Sequence, residues 1–225
     1  MNKHPKIKIV FDKYDKKIAA FYIENINSSL KRLAKLFPQN PDFITVHVFQ
    51  NREKLLKAIG KKDAPKWLIG HIPNRSTSSI YFFYDKSRKK DLPKTITHEL
   101  AHLFINLYNP DLPVWVKEGL CFYLAKQFFS KNVSIQNWKK IAPKELPFQR
   151  VKWQTAVKNN GYNTAGLLIL FLVKRYGWKN LLKALKSKNF TLENLATFFD
   201  EKTEDIIRDF KKCHLNKKRY YKTKI

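Results

Sequence analysis

Cysteine is nearly absent from this chain: Cys121 and Cys213 are the two in 225 residues. Two cysteines cannot make a disulfide framework, so they read as free thiols of a reducing compartment. Long apolar runs are also missing. The longest, Ala165 to Val173, stops at Lys174-Arg175 and falls far short of the roughly 20 residues a membrane span needs. It reads instead as a buried core helix. The first residues, Met1 to Val10, alternate charge with β-branched side chains and contain no apolar signal-peptide core. Export is therefore not indicated, and the cytoplasm is the expected location.

Acidic residues are scarce as well, 18 against 45 Lys and Arg, leaving a formal charge of +27. Such an excess invites a nucleic-acid reading. Arginine, the side chain favoured for bidentate phosphate contacts, is the scarce member of the basic set, however. The lysines are spread from Lys3 to Lys224, which suits solvated surface positions. The expectation is weak, salt-sensitive attraction to polyanions rather than a specific nucleic-acid partner. Locally dense charge is confined to the end of the chain, around Lys211-Lys212 and Lys217-Lys218-Arg219. Hydrophobic content of 44% with 14% aromatic residues nevertheless marks a globular protein.

Hydrophobic periodicity supplies the elements. Strands are predicted at Lys6 to Phe11 and Phe43 to Phe49, with a pair at Trp67 to His71 and Ile80 to Tyr84 across the turn from Pro73 to Ser78. Helices are predicted at Lys17 to Phe37, closed by Pro38, and from Asn51 to a stop at Gly60. Two more run from Pro93 to Tyr108 and from Trp115 to Phe129. A looser stretch, Ser130 to Asn160, precedes four further helices at 164–176, 178–186, 191–199 and 203–214, with Gly161 and Gly177 as breaks. No internal repeat or linker stands out. The pattern predicts an α+β fold in one domain over 1–215: a mixed-sheet lobe to about 90, two central helices over 91–129, and a helical lobe over 130–215. Residues 216–225 form a basic tail.

Within the third predicted helix stands His98-Glu99-Leu100-Ala101-His102, an H-E-x-x-H motif. Residues i and i+4 share a helix face, so two imidazoles can address one cation while Glu99 reaches a water beside it. That chemistry calls for zinc, one ion per chain, with Glu99 as general base. A third protein ligand is required. Tyr108 and Ile105 occupy the places where a metzincin carries its third His and its Gly, which excludes that class. Asp111 sits in an Asn-Pro-Asp turn, where it has a turn role. Glu118 is the better candidate, because a helix, a prolyl turn and a second helix can return it to the His98/His102 face, and it lies among Val114, Trp115, Leu120 and Phe122.

His98-Glu99-x-x-His102 followed by Pro113-x-Trp115-x-x-Glu118-Gly119-Leu120 resembles the gluzincin zinc metallopeptidases, and more narrowly the bacterial peptidase-MA-like family. The likeness extends over most of residues 6 to 212, including Tyr162-Asn163-Thr164-Ala165-Gly166 and Lys174-Arg175-Tyr176-Gly177. It implies a zincin-like fold and peptide-bond hydrolysis, with His98, His102 and Glu118 as zinc ligands and Glu99 as general base and acid. It also implies a Tyr or His donor to the oxyanion, for which Tyr162 is the candidate ahead of Tyr123 and His71. A packed aromatic explains Tyr162 equally well. Two positions depart from the pattern. Phe122 stands where relatives often carry an acidic residue that orients a zinc-bound His. Cys121 replaces a small residue and reads as a small buried apolar side chain rather than a ligand.

The implied substrate is a peptide or protein, favoured on encounter if acidic. In this fold class an extended substrate adds to a sheet edge, here expected at the Trp67 to Tyr84 hairpin with Ile80 to Tyr84 as the preferred strand. Two other readings stay open: an inactive peptidase-like binding module, and a protease associated with nucleic acid.

Overall fold

Alternation along β1 (Lys6–Phe11) and β2 (Phe43–Phe49) builds the first half of the molecule, as the computed structural model shows. It describes residues 5–13, 15–65, 68–73, 75–127, 153 and 161–215. On β2 the alternating side chains Ile44, Val46 and Val48 are buried, and the residues between them are not. The expected strand pair is formed by β3 (Gly70–His71) and β4 (Ser79–Phe83), antiparallel, with Gly70 opposite Phe82 and His71 opposite Tyr81. Trp67, where the first of the pair was expected to begin, lies outside the described residues. Sheet order is β1-β2-β4-β3, with β1, β2 and β4 parallel. The protein is thus α+β with a mixed sheet.

This topology corrects one expectation. The strand preferred for substrate, Ile80 to Tyr84, is not an edge. β2 pairs with one side of it, and β3 covers the other at Tyr81 and Phe82. The edge strand of the hairpin is β3.

The helices of this half follow local signals. α1 (Lys16–Leu33) is capped by Asp15, whose carboxylate accepts from the amides of Lys17 at 2.8 Å and Ile18 at 3.0 Å. Its buried stripe is Ala19, Tyr22, Ile26, Leu30 and Leu33, the spacing of one helix face. It ends four residues before Phe37, which is held in a following turn and packs on Phe104 and Tyr108. α2 (Arg52–Ala58) is capped by Asn51, and Gly60 closes it at a φ of 67°. α3 (Leu92–Tyr108) carries Pro93 in its first turn. Ser29 on α1 and Thr97 on α3 are joined by a buried hydrogen bond of 2.8 Å between their hydroxyls, and Asn106 Nδ2 donates to the Ser76 carbonyl at 2.9 Å. These contacts fix the rotation of α3 about its axis.

Contacts divide the chain into two compact units, Met1–Pro110 and Asp111–Ile225. The described part of the second unit is helical: α4 (Val114–Leu124), α5 (Gly161–Tyr176), α6 (Trp178–Leu185), α7 (Leu192–Phe198) and α8 (Thr203–Leu215). α5 begins at Gly161, a turn earlier than its apolar run suggested. Gly177, at a φ of 79°, separates α5 from α6, and the Thr191 hydroxyl accepts from the Asn194 amide to cap α7. α4 ends at Leu124, capped by Ala125, short of the Phe129 expected; Phe129 itself, the looser stretch expected at 130–160 apart from Trp153, and the basic tail fall outside the described residues. No described helix is long and apolar enough to cross a membrane.

Candidate metal centre

α3 carries the motif as a regular helix, so His98 and His102 fall one turn apart on the same face. Both are buried, each 8% exposed, with ring centroids 5.0 Å apart and planes at 72°. Their ligating atoms lie within 4.8 Å of each other. Two imidazoles at that separation can each place a nitrogen about 2.0–2.1 Å from one zinc ion. Around them α3 is apolar: Ile96, Leu100, Ala101, Leu103, Phe104 and Ile105 are all fully buried. A dry wall of this kind strengthens any charge interaction beside it.

Glu99 is half-buried and is positioned by the neighbouring edge strand. Gly70 on β3 leaves room for it: a Cβ built at Gly70 would stand 2.8 Å from Glu99 Cγ and 2.9 Å from Phe82 Cε1. The Glu99 side chain therefore passes directly over the backbone of β3. The sequence reading did not single out Gly70. A glycine inside a strand does carry a signal, since it often marks a close approach by another group.

His71, next along β3, is half-buried, and its pKa is lowered from 6.5. Burial is the main cause, followed by the charge of Lys61 and then His102. An imidazole so placed is neutral near pH 7 and can donate or accept a hydrogen bond.

In the second unit the sequence-selected residues stand on α4, whose first turn follows Pro113. Glu118 is half-buried rather than exposed, and Cys121 is fully buried, one turn further along the same face. Gly119, between them, faces α5: a Cβ there would meet the Ala165 carbonyl oxygen at 2.7 Å. The helix is thus turned with Gly119 against α5, which fixes where Glu118 and Cys121 emerge. Trp115 is buried and packs on Phe190.

Phe122 stacks on Tyr162, with centroids 5.5 Å apart and planes at 21°. Trp153 meets the same Tyr162 ring edge-on at 5.1 Å. The departure at Phe122 therefore has a packing role: it forms the shelf on which Tyr162 lies. Tyr123 stacks on Trp178 instead. Asp111 is exposed.

His98 and His102 are donors that can bind a metal ion, and Cys121 of the second unit is a buried thiol. That burial agrees with the reading of Cys121 as a small buried apolar side chain. Imidazole nitrogens with a thiolate or carboxylate are the donors zinc prefers, so the residues fit the metal the motif implies.

The fold is α+β, with an H-E-x-x-H helix packed beside a mixed sheet. No protein-family model, curated protein or solved structure matches the chain.

Proposed function

We propose that this protein is a zinc-dependent metallopeptidase of gluzincin type, with one zinc held by His98, His102 and Glu118. The observation that carries the reading is the pair of buried imidazoles on one face of α3 with Glu99 beside them, aligned against the edge strand. Zinc in such a site supplies Lewis-acid polarisation of a carbonyl and a lowered pKa for water. Glu99 takes a proton from the attacking water and returns it to the leaving amine. Its placement over Gly70 limits the rotamers open to its carboxylate, so the proton-transfer group is pre-oriented. An extended peptide adds to the β3 edge, which puts its backbone beside Glu99. The Tyr162 phenol, seated on Phe122, is the proposed donor to the developing oxyanion. Peptides and proteins are the substrates, with acidic ones favoured by the +27 charge.

Cys121 is a second candidate for the third ligand, because it is buried where Glu118 is half-buried, on the same helix face. Metal analysis of the purified protein beside Glu118→Ala and Cys121→Ser variants separates the two. Zinc lost only in Glu118→Ala is the expected result. Loss only in Cys121→Ser moves the third ligand to the thiol, and stoichiometric zinc in both rejects both. For the activity, Glu99→Gln is expected to keep its zinc and lose hydrolysis of a mixed peptide library by a factor of at least about 100. Wild-type zinc binding without any Glu99-dependent cleavage leaves a metal-binding module and sinks the peptidase.

A further inference from the structure

The sheet of the first unit has an outward face that the peptidase chemistry does not use. Ile44, Val46 and Val48 point into the core, so Phe43, Thr45, His47 and Phe49 occupy the opposite side of β2. On β1, Ile7 and Ile9 face α1, which leaves Lys6 and Lys8 on the outward side, both exposed. Register places Lys6 beside Phe43, Lys8 beside Thr45, and Tyr81 beside His47.

Three of these rings are nearly parallel. His47 and Tyr81 have centroids 4.9 Å apart at 15°, Phe49 and Tyr81 are 6.1 Å apart at 12°, and His47 and Phe49 are 6.5 Å apart at 14°. All three are only half-buried, and Phe43, further along the face, is 44% exposed. No outward position of β1, β2 or β4 is acidic. Acids flank only the strand ends: Asp12 is paired with Lys54 at 2.7 Å, exposed Asp42 precedes Phe43 and its carbonyl accepts from the Lys6 amide, and Asp85 caps a short turn by accepting from Ser87. Burial, and then the Lys8 charge, lower the His47 pKa, so this imidazole is a neutral aromatic ring near pH 7.

We infer that this face binds single-stranded nucleic acid, with His47, Phe49 and Tyr81 stacking on bases and Lys6 and Lys8 meeting the phosphates. Parallel rings accept a further flat ring, and unstacked bases offer one without regard to sequence. A duplex hides its base faces and gives such a shelf nothing to stack on. Charge complementarity is local, since Lys6 and Lys8 stand on β1 beside Phe43 and Thr45, at one end of the aromatic row, and no strand residue of the face is acidic. It is also global, because the +27 chain attracts a polyanion before the rings engage. This inference is independent of the peptidase reading.

The test is fluorescence anisotropy of the full-length protein with labelled oligothymidylate and oligouridylate at physiological ionic strength. An abasic strand with the same number of phosphates is the control. Base-bearing strands are expected to bind about tenfold tighter than the abasic strand or more, and Tyr81→Ala to remove most of that difference. Tyr81→Trp, which keeps a large ring on the strand, is expected to restore it, which separates stacking from misfolding. A tighter complex with oligouridylate than with oligothymidylate assigns the site to RNA, and the reverse to DNA. Equal binding of base-bearing and abasic strands overturns the proposal, since charge alone then accounts for the affinity. So does an unchanged preference in Tyr81→Ala, a preference for duplex, or tighter binding of polyglutamate, which would make this a face for acidic proteins.

Discussion

Gly70 and Glu99 show how far a single missing atom reaches. Phe82, opposite Gly70, is fully buried and cannot yield, so a methyl group at position 70 displaces the Glu99 side chain instead. Positioning errors of about an ångström cost on the order of 100-fold in rate when a proton-transfer group is involved. For the proposed peptidase, Gly70→Ala is therefore expected to keep its zinc content and lower kcat by about 10–100-fold, with a smaller change in KM. Steady-state kinetics beside metal analysis checks this. An unchanged kcat with intact zinc would mean that Glu99 is not set by the strand. The backbone at Gly70 has no positive φ, so the effect is steric rather than conformational.

Helix packing in the second unit turns on Gly119. Its Cα faces the backbone of α5, where a Cβ would meet the Ala165 carbonyl oxygen at 2.7 Å and its carbon at 2.9 Å. Backbone cannot step aside as a flexible side chain can, so Gly119→Ala must separate α4 from α5. Overpacking of this kind typically costs about 1–3 kcal/mol, which outweighs alanine's helix-propensity gain of roughly 1 kcal/mol. Denaturant unfolding is expected to show a lower midpoint, and a higher midpoint would refute the close approach.

The C-terminal elements are tied by charge. Arg175 at the end of α5 bonds Glu201 at 2.5 and 3.1 Å and Asp209 on α8 at 2.9 Å, while the Tyr176 hydroxyl donates to Glu201 at 2.9 Å. The hydrogen bond from Arg175 is the main cause that lowers the Asp209 pKa below 3.8, against an opposing effect of burial. A carboxylate with a depressed folded pKa contributes stability above its unfolded pKa, and that contribution disappears as pH falls through the folded value. Asp209→Asn is therefore expected to be less stable than wild type at neutral pH. The difference should close as both are acidified below pH 3.8, which thermal unfolding against pH can follow.

At the scale of the whole molecule, charge sets encounter. A net +27 gives a long-range attraction for acidic chains, screened over about 8 Å at physiological salt. For the proposed peptidase, kcat/KM on an acidic peptide is expected to fall by about tenfold or more from low to physiological ionic strength, with little change for a neutral peptide of equal length. Stopped-assay kinetics over a salt series measures it. Equal salt responses would show that the lysines are solvated surface without a role in capture.

Much of the fold was legible because its signals are local. Asn51 and Thr191 open helices where their short side chains reach an amide three residues on, and Gly60 and Gly177 take the positive φ that ends or separates helices. Alternation marked β1 and β2 to the residue. The end of α1 was misjudged because Phe37 keeps the helical spacing, yet it is anchored by Phe104 and Tyr108, distant in sequence. Of the candidate metal centre, the shared face of His98 and His102 was legible because helix geometry alone puts both imidazoles on one side. Phe122 looked like an unexplained departure until its stacking on Tyr162 was seen.

The sequence by itself determined which elements form and that His98 and His102 share one helix face, since periodicity, caps and i,i+4 spacing operate within a few residues. Only the tertiary structure decided that β3, not β4, is the sheet edge, that Gly70 makes room for Glu99, and that His47, Phe49 and Tyr81 share one face. Each of these depends on pairing between segments separated along the chain, and strand partners and register are chosen by the packing of the whole core rather than by any local run of residues.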